Sequence, residues 1–393
     1  MIEFQRGARE IELEARTQAF VRDEIIPYET DPRFGAHGPS TELIQEMRRK
    51  ARAAGLLSPQ VGAEWGGQGL SHREIATVFR AAGYSLLAPI AMNCMAPDEG
   101  NMHLLEKVAT AAQKKRFLKP LAAGEIRSAF LMTEPDGGAG SDPSMLKTEA
   151  RPDGSDWVIT GRKWLITGAQ GASFGIIMAR TGDHATMFLS DLNAPGIVIE
   201  RVLDTMDDSM AGGHAVMRLE ELRVPQDQIL GTVNEGFRYA QVRLAPARLT
   251  HCMRWWGAAR RAHDIAVDYA CTRRAFGKPL IDHEGVGFML ARNDVDLLQT
   301  QLLIDRVAWT LDQGGPSGSE SSMAKYACAE ILYGIADRCV QVLGGTGITN
   351  DTPVNRIFRE IRAFRIYDGP TEVHLWSLAN RLKRNWEKRA QQR

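Results

Sequence analysis

Net charge is the first thing this sequence lacks. Lys plus Arg and Asp plus Glu both number 48 among 393 residues, so the formal net charge is zero. A dedicated nucleic-acid binder needs a basic face for phosphate contacts, and the chain has no such excess. The locally basic "RLKRNWEKRAQQR" at the end reads as a solvated last helix and tail. Cysteine is scarce as well. Cys94, Cys252, Cys271, Cys328 and Cys339 are scattered, odd in number and without a C-x-x-C pair, which excludes a disulfide framework and a zinc site. The nine histidines form no ligand cluster, so no metal is expected. Long apolar runs are missing too: "YSLLAPIAMNCMA" is short and interrupted by Asn93, so no transmembrane segment is expected. The N-terminal "MIEFQRGAREIELEARTQAF" carries acids throughout and has no apolar stretch ending in small residues, unlike a signal or transit peptide. The expectation is a soluble, cytoplasmic protein with free thiols. G-x-G-x-x-G, the P-loop, H-E-x-x-H and G-x-S-x-G are all absent.

What is present changes character twice along the chain. Up to about Gly124 the periodicity is helical. "IELEARTQAFVRDEIIP" spaces apolar residues three and four apart and stops at Pro27; "TELIQEMRRKARAAG" stops at Gly55. "SHREIATVFRAAG" opens on Ser71 with Glu74 three residues later, a capping box. From about Arg127 to Gly231 the alternation becomes two-fold. "DWVITGRKWLITG", "FGIIMART", "ATMFLSDL", "GIVIERV" and "HAVMRLEELRVP" read as strands of a small antiparallel barrel or sandwich. From about Glu235 longer helices return and suit a bundle. "QGGPSGSESS" is the clearest linker and joins two helices. The fold class expected is α+β, with a helical domain over 1–125, a β-domain over 126–234 and a helical bundle over 235–393.

Four segments carry possible chemistry. "MTEPDGGAGSD" (Met132 to Asp142) is a Gly-rich loop with hydroxyls that can present backbone N–H groups to an anion or a planar ring. "KWLITGAQG" (Lys163 to Gly171) could cover an aromatic ring with Trp164 or Leu165 and donate to it from Thr167. In "RRAFGKPLIDHEGVGFMLA", two arginines before an aromatic and Gly277 suit a pyrophosphate clamp. In "QVLGGTGITNDTPVNRIFRE", Gly344, Gly345 and Gly347 permit close backbone approach. Each has an ordinary reading as well: a surface loop, a barrel strand, a basic helix end and a glycine helix stop.

Their order and separation are more specific than any one of them. Together with "AEWGGQGL", "APDEGNMHLLEK", "QKKRFLKPLAAGEIRSAFLMTEP" and "IYDGPTEVH", they resemble the acyl-CoA dehydrogenase family over essentially the whole chain. Gln341 to Glu360 fits that family's second signature, with Asp351, Arg356 and Glu360 at the constrained charged positions. The resemblance implies a homotetramer or homodimer with FAD in each subunit, lying between the β-domain and the bundle, and a neighbouring subunit over its adenosine end. By motif position, Met132, Thr133 and Ser141 match residues touching flavin and pyrophosphate, and Thr167 matches the threonine beside the reactive nitrogen. Arg273, Phe276, Gln341, Gly344 and Gly345 match the part lent by the neighbour. The implied reaction is α,β-desaturation of an acyl-CoA: a carboxylate takes the α-proton and the β-hydrogen leaves as hydride to flavin N5. The enolate would be stabilised by the base's own backbone N–H and a ribityl hydroxyl. An electron-transfer flavoprotein would then take the electrons, in fatty acid β-oxidation.

The family's usual base is a glutamate directly before a glycine; here Asp368 occupies that place, on an arm about 1.5 Å shorter. "DGPTEVH" resembles a branch in which Asp is the ordinary base, acting on long or branched acyl groups, and Arg248 matches an arginine near it. The sequence departs from the family pattern elsewhere. The Gly-rich loop is two residues longer, Trp164 stands one place before the usual flavin-stacking position, which Leu165 fills, and Pro370 and Glu372 replace a threonine and a glutamine. Two alternatives stay open. One is an oxidase resembling nitroalkane oxidase, which also uses Asp but has an arginine on the following helix, where this chain reads "EVHLWSL". The other is a non-catalytic acyl-CoA binder.

Overall fold

The computed structural model describes residues 5–315 and 318–391. Part of the expected linker, Pro316 and Ser317, lies outside the described residues. The elements used below are helices α1 (Ala8–Phe20), α2 (Thr41–Ala53), α3 (His72–Ala82) and α4 (Asp98–Val108). Seven strands follow: β1 (Ser128–Leu131), β2 (Glu149–Asp153), β3 (Asp156–Thr167), β4 (Phe174–Thr181), β5 (His184–Asp191), β6 (Ile197–Leu203) and β7 (His214–Pro225). The chain ends in α5 (Gly236–Thr272), α6 (Glu284–Asp312), α7 (Gly318–Leu343), α8 (Val354–Phe364) and α9 (Thr371–Gln391). No helix among the described residues is long and apolar enough to cross a membrane.

The expected order of helices, sheet and helices is present, and all five expected strands form. The pairing corrects one point: the sheet is mixed. Its order is β1-β4-β2-β3-β7-β6 with β5 on β4, and β1 and β2 both run parallel to β4. Antiparallel neighbours can share a tight turn, whereas β1 reaches β4 only by way of the β2–β3 hairpin, and that crossover returns the chain in the same direction. Neither β1 nor β2 was legible as a strand. "SAFL" is too short to show a period, and "EARPD" is polar with an internal proline.

The chain divides into two compact units. One, the helical unit, contains Met1–Val21, Ser71–Leu86 and Arg248–Arg393; the other, the sheet unit, contains Arg22–Leu70 and Leu87–Ala247.

In the sheet unit both faces of β4 are covered. Phe174, Ile176 and Met178 join one core with Phe117, Leu118 and Leu121, while Ile177 and Ala179 join another with Ile159, Met217 and Leu219. A strand buried on both faces reads as an unbroken apolar run, which is why "FGIIMA" does not alternate.

In the helical unit, Ser71 and Glu74 form the expected box: Glu74 N–H donates to Ser71 Oγ, and Ser71 N–H donates to the Glu74 carboxylate. α3 and α5 touch through backbone. A Cβ on Gly83 would lie 2.0 Å from the Arg254 carbonyl, and one on Gly257 2.1 Å from that of Arg80. Trp256 Nε1 donates to the Leu297 carbonyl at 2.9 Å and so fastens α5 to α6.

Candidate active site

In the helical unit, α8 ends at Phe364 and α9 begins at Thr371, so "RIYDGP" must turn the chain within six residues. Asp368 and Gly369 both adopt left-handed backbone, with φ of 53° and 96°. Glycine does this freely; aspartate does so at a cost that its surroundings must meet. They do so with donors. Arg248 Nε and His374 Nε2 both lie 3.2 Å from the Asp368 carbonyl. Lys325 Nζ, on α7, donates to the Gly369 carbonyl at 2.9 Å and to that of Phe364 at 2.6 Å. One turn further along α7, Glu330 accepts from Arg365 Nε at 2.8 Å and from the Thr371 hydroxyl at 2.6 Å, holding both ends of the turn.

The Asp368 side chain is held separately. His251 Nε2 lies 3.0 Å from Asp368 Oδ2, and the imidazole is nearly sealed from solvent. Its ring packs on Tyr367 with centroids 4.8 Å apart. Burial pulls the Lys325 ammonium down to about 8, against the opposing influence of Cys252 and Asp368. Burial also lowers Arg248, with Asp368 offsetting it. His374 is pushed down to about 4 by burial and then by the nearby Arg248 and Lys325.

In the sheet unit, Met132 and Thr133 prolong β1 against a β-bulge in β3. Lys163 pairs with Met217 and Ile166 with Ala215, so Trp164 and Leu165 together oppose the single residue Val216. Leu165 has a φ of 53°, and the bulge leaves both Trp164 and Leu165 exposed. The competition for the covering position is thus a matter of one bulge that presents both side chains. Thr133 and Trp164 exchange two bonds: Trp164 N–H to the Thr133 carbonyl at 3.0 Å, and the Thr133 hydroxyl to the Trp164 carbonyl at 2.7 Å. The long glycine loop turns tightly at Pro135 to Gly138 and leaves Ser141 exposed. Glu134 closes its base, accepting from the backbone N–H groups of Lys147 and Thr148 and from Lys163 Nζ.

At the end of β3, Thr167 Oγ1 lies 3.0 Å from His214 Nδ1, and His214 Nε2 lies 2.8 Å from Asp207 Oδ2. In the neutral imidazole that gives its Nε2–H to Asp207, Nδ1 is an acceptor and the Thr167 hydroxyl is the donor to it. Asp207 stays below the usual carboxylate range: burial is the largest single influence and would raise it, and His214, the Thr205 hydroxyl and a backbone hydrogen bond together outweigh burial.

The residues expected from the neighbour-lent set stand on the surface of the helical unit in two places. Arg273 and Phe276 belong to a small hairpin, where Phe276 is 96% exposed. Gln341, Gly344 and Gly345 lie at the end of α7, all exposed. Gly344 has a φ of 58°, and Gly347 is required by the Val340 carbonyl, 2.4 Å from where a Cβ would sit.

Sequence reasoning missed His251, Lys325, Glu330 and His374 around Asp368, and His214 and Asp207 behind Thr167. For His251 a signal existed: Arg248 and His251 are three apart on a helix and share a face. His374 lies six residues after Asp368, within "DGPTEVH"; for the others, only the packing of separate helices, or the pairing of β3 with β7, brings them in.

Three comparisons bear on identity. Residues 8–125, 129–217 and 234–383 match the N-terminal, middle and C-terminal domains of acyl-CoA dehydrogenases. "Probable acyl-CoA dehydrogenase FadE2" of Mycobacterium tuberculosis is 36% identical, over 96% of both chains. Acyl-CoA dehydrogenase family member 11 of Rattus norvegicus is 32% identical over 96% of this chain, which spans only 50% of that protein. Among solved structures, a Mycobacterium abscessus protein assigned to the acyl-CoA dehydrogenases superposes with a TM-score of 0.90 at 35% identity, over 98% of this chain and 100% of its own. A glutaryl-CoA dehydrogenase of Mycobacterium smegmatis in complex with FADH2 gives 0.86 at 25% identity, over 96% of this chain and 95% of its own. The chain belongs to the acyl-CoA dehydrogenase family.

Proposed function

We propose that this protein is an FAD-dependent enzyme that dehydrogenates an acyl-CoA thioester between its α and β carbons, with Asp368 as the base. The observation that carries this reading is the setting of Asp368. Its carboxylate stands in a half-buried turn with His251 at Oδ2, and Arg248 and Lys325 hold the turn's carbonyls. An α-proton is weakly acidic, so a base must be aimed within hydrogen-bond reach of it. A turn fastened at both ends and at two carbonyls supplies that aim for an arm one methylene short.

The residues fit FAD unit by unit. In the sheet unit, the bulge presents apolar surface from Trp164 and Leu165 beside the hydroxyl oxygens of Thr133 and Thr167, apolar cover with polar groups at its edge, as a flavin ring needs. In the helical unit, Arg273, Phe276, Gln341, Gly344 and Gly345 are exposed and available to the adenosine and pyrophosphate of a cofactor held by another copy. Bound FAD would supply the acceptor for the β-hydrogen and its electron pair. Binding, orientation and the α-proton are the work of the chain itself.

Self-association as a homotetramer or homodimer is part of the proposal. It is supported by Phe276 and by Phe288, Val295, Leu298 and Leu302, all exposed on α6 at spacings that place them on one face. We further propose an electron-transfer flavoprotein as the electron acceptor and fatty acid β-oxidation as the setting. Five free cysteines, four of them buried, support a reducing compartment such as the cytoplasm.

The test is anaerobic mixing of the yellow protein with a panel of acyl-CoAs. Wild-type flavin bleaches, and Asp368→Asn keeps FAD and binds the acyl-CoA but does not bleach. Near-normal bleaching by Asp368→Asn overturns the assignment of the base. Rapid peroxide formation with nitroalkanes and no bleaching by acyl-CoA overturns the reaction.

A further inference from the structure

The Asp368 carboxylate has a second layer behind it, all within the helical unit. Arg254 Nη2 lies 3.0 Å from His251 Nδ1, and a guanidinium is only ever a donor. His251 Nδ1 therefore carries a lone pair, and the ring's single proton is on Nε2, 3.0 Å from Asp368 Oδ2. Arg254 is itself buried and stacks its guanidinium over Phe79 at 5.7 Å, so the far end of the chain is anchored in packed core. Arg248, His251 and Arg254 follow one another at intervals of three along α5, so each successive pair shares a side of the helix: Arg248 and His251 reach Asp368, and Arg254 reaches His251 from behind.

We propose that His251 is the positioning residue of Asp368: fixed by Arg254 as the neutral Nε2–H form, it donates to one carboxylate oxygen and sets the direction of the short arm. The proposal rests on the reading of Asp368 as the base. Two consequences follow. A carboxylate tethered at one oxygen loses the freedom to swing, which matters more for aspartate, whose reach leaves less room for error. A hydrogen bond donated to the ionised form also favours that form, so His251 keeps the base competent to lower pH. When Asp368 takes the α-proton, the new O–H is on the carboxyl itself and His251 keeps its own proton, so the imidazole neither gains nor loses charge. Charged and titratable groups around the turn include Arg248, His251 and the Cys252 thiol from α5, with Arg254 behind His251, Lys325 and Glu330 from α7, His374 from α9, and Arg365 and Tyr367 of the turn itself.

The experiment uses flavin-loaded protein and reads the single-turnover bleaching rate against pH for His251→Gln and His251→Phe. A glutamine amide can place an N–H where Nε2–H stands; a phenyl ring fills the space and donates nothing. His251→Gln is expected within about threefold of wild type with the same acid limb. His251→Phe is expected to slow bleaching on the order of 10²-fold and to move the acid limb about one unit upward. Equal impairment of both variants, or a wild-type rate and acid limb in His251→Phe, overturns the proposal. Should His251→Phe fail to fold, ¹⁵N-histidine spectra of the wild-type holoenzyme decide. His251 is expected as the neutral Nε2–H form from pH 6 to 8, and an Nδ1–H form or titration to imidazolium in that range overturns it. Bleaching by Asp368→Asn marks failure of the underlying base reading. A silent Asp368→Asn beside an unaltered His251→Phe marks failure of the positioning role alone.

Discussion

Lys163 Nζ meets Glu134 Oε1 at 2.9 Å, and both side chains are sealed from solvent. The pair joins β3 to the foot of the glycine loop, where Glu134 also accepts backbone N–H groups and Lys163 also donates to the Met132 and Met178 carbonyls. Removing one partner strands the other, so Lys163→Met and Glu134→Gln should each lose about 3–5 kcal/mol of stability. Glu134 is pushed down to about 2: burial would raise it, and Lys163 together with the hydrogen bonds more than offsets burial. A carboxylate depressed on folding contributes stability that is complete above its unfolded value of 4.5 and is lost as pH falls from there towards 2. Urea unfolding of the two variants at pH 7, with an acid titration of the wild type, measures both effects.

Gly83 and Gly257 are the contact between α3 and α5 rather than points of flexibility. Alanine at Gly257, in mid-helix, would gain about 1 kcal/mol of intrinsic helix propensity. Against that, its Cβ would stand 2.1 Å from a backbone carbonyl, which no rotamer can relieve. Overpacking of this kind costs about 3 kcal/mol, so the clash wins. Gly257→Ala and Gly83→Ala should both lower the unfolding midpoint, and a rise in either would show that the helices can part without loss.

His374 is held neutral by its surroundings, which gives the helical unit an acid sensitivity distinct from that of Glu134. Its folded value of about 4 lies below the unfolded 6.5, so between these limits the unfolded chain binds the extra proton. Stability conferred by the neutral ring is complete above pH 6.5 and is lost as pH falls through this window, by on the order of 2 kcal/mol. His374→Gln, which keeps a neutral donor, should flatten the fall in unfolding midpoint between pH 6.5 and 4.5. An unchanged slope would place the sensitivity elsewhere.

The legible and illegible parts of the site differ in kind. Asp368, Thr167 and Met132 come from the family resemblance, which a continuous segment can carry because its residues are neighbours in sequence. His251 was missed, although it shares a face of α5 with Arg248. Lys325 and Glu330 sit some forty residues before the turn they hold, and Asp207 and His214 act on Thr167 through the pairing of β3 with β7. β1 and β2 escaped because four or five residues do not establish a period.

Local chemistry along the chain determined the helical stretches, the five longer strands, the Ser71 cap and the position of a carboxylate in a tight turn. Each rests on periodicity or turn geometry, which neighbours in sequence impose on one another. The tertiary structure alone decided that the sheet is mixed, that Trp164 and Leu165 share a bulge, and that an aspartate can be held in a left-handed turn by donors from three helices. Those outcomes depend on which distant groups satisfy a buried carbonyl or carboxylate, and a polar group inside a protein takes its partners from whatever the packing brings within reach.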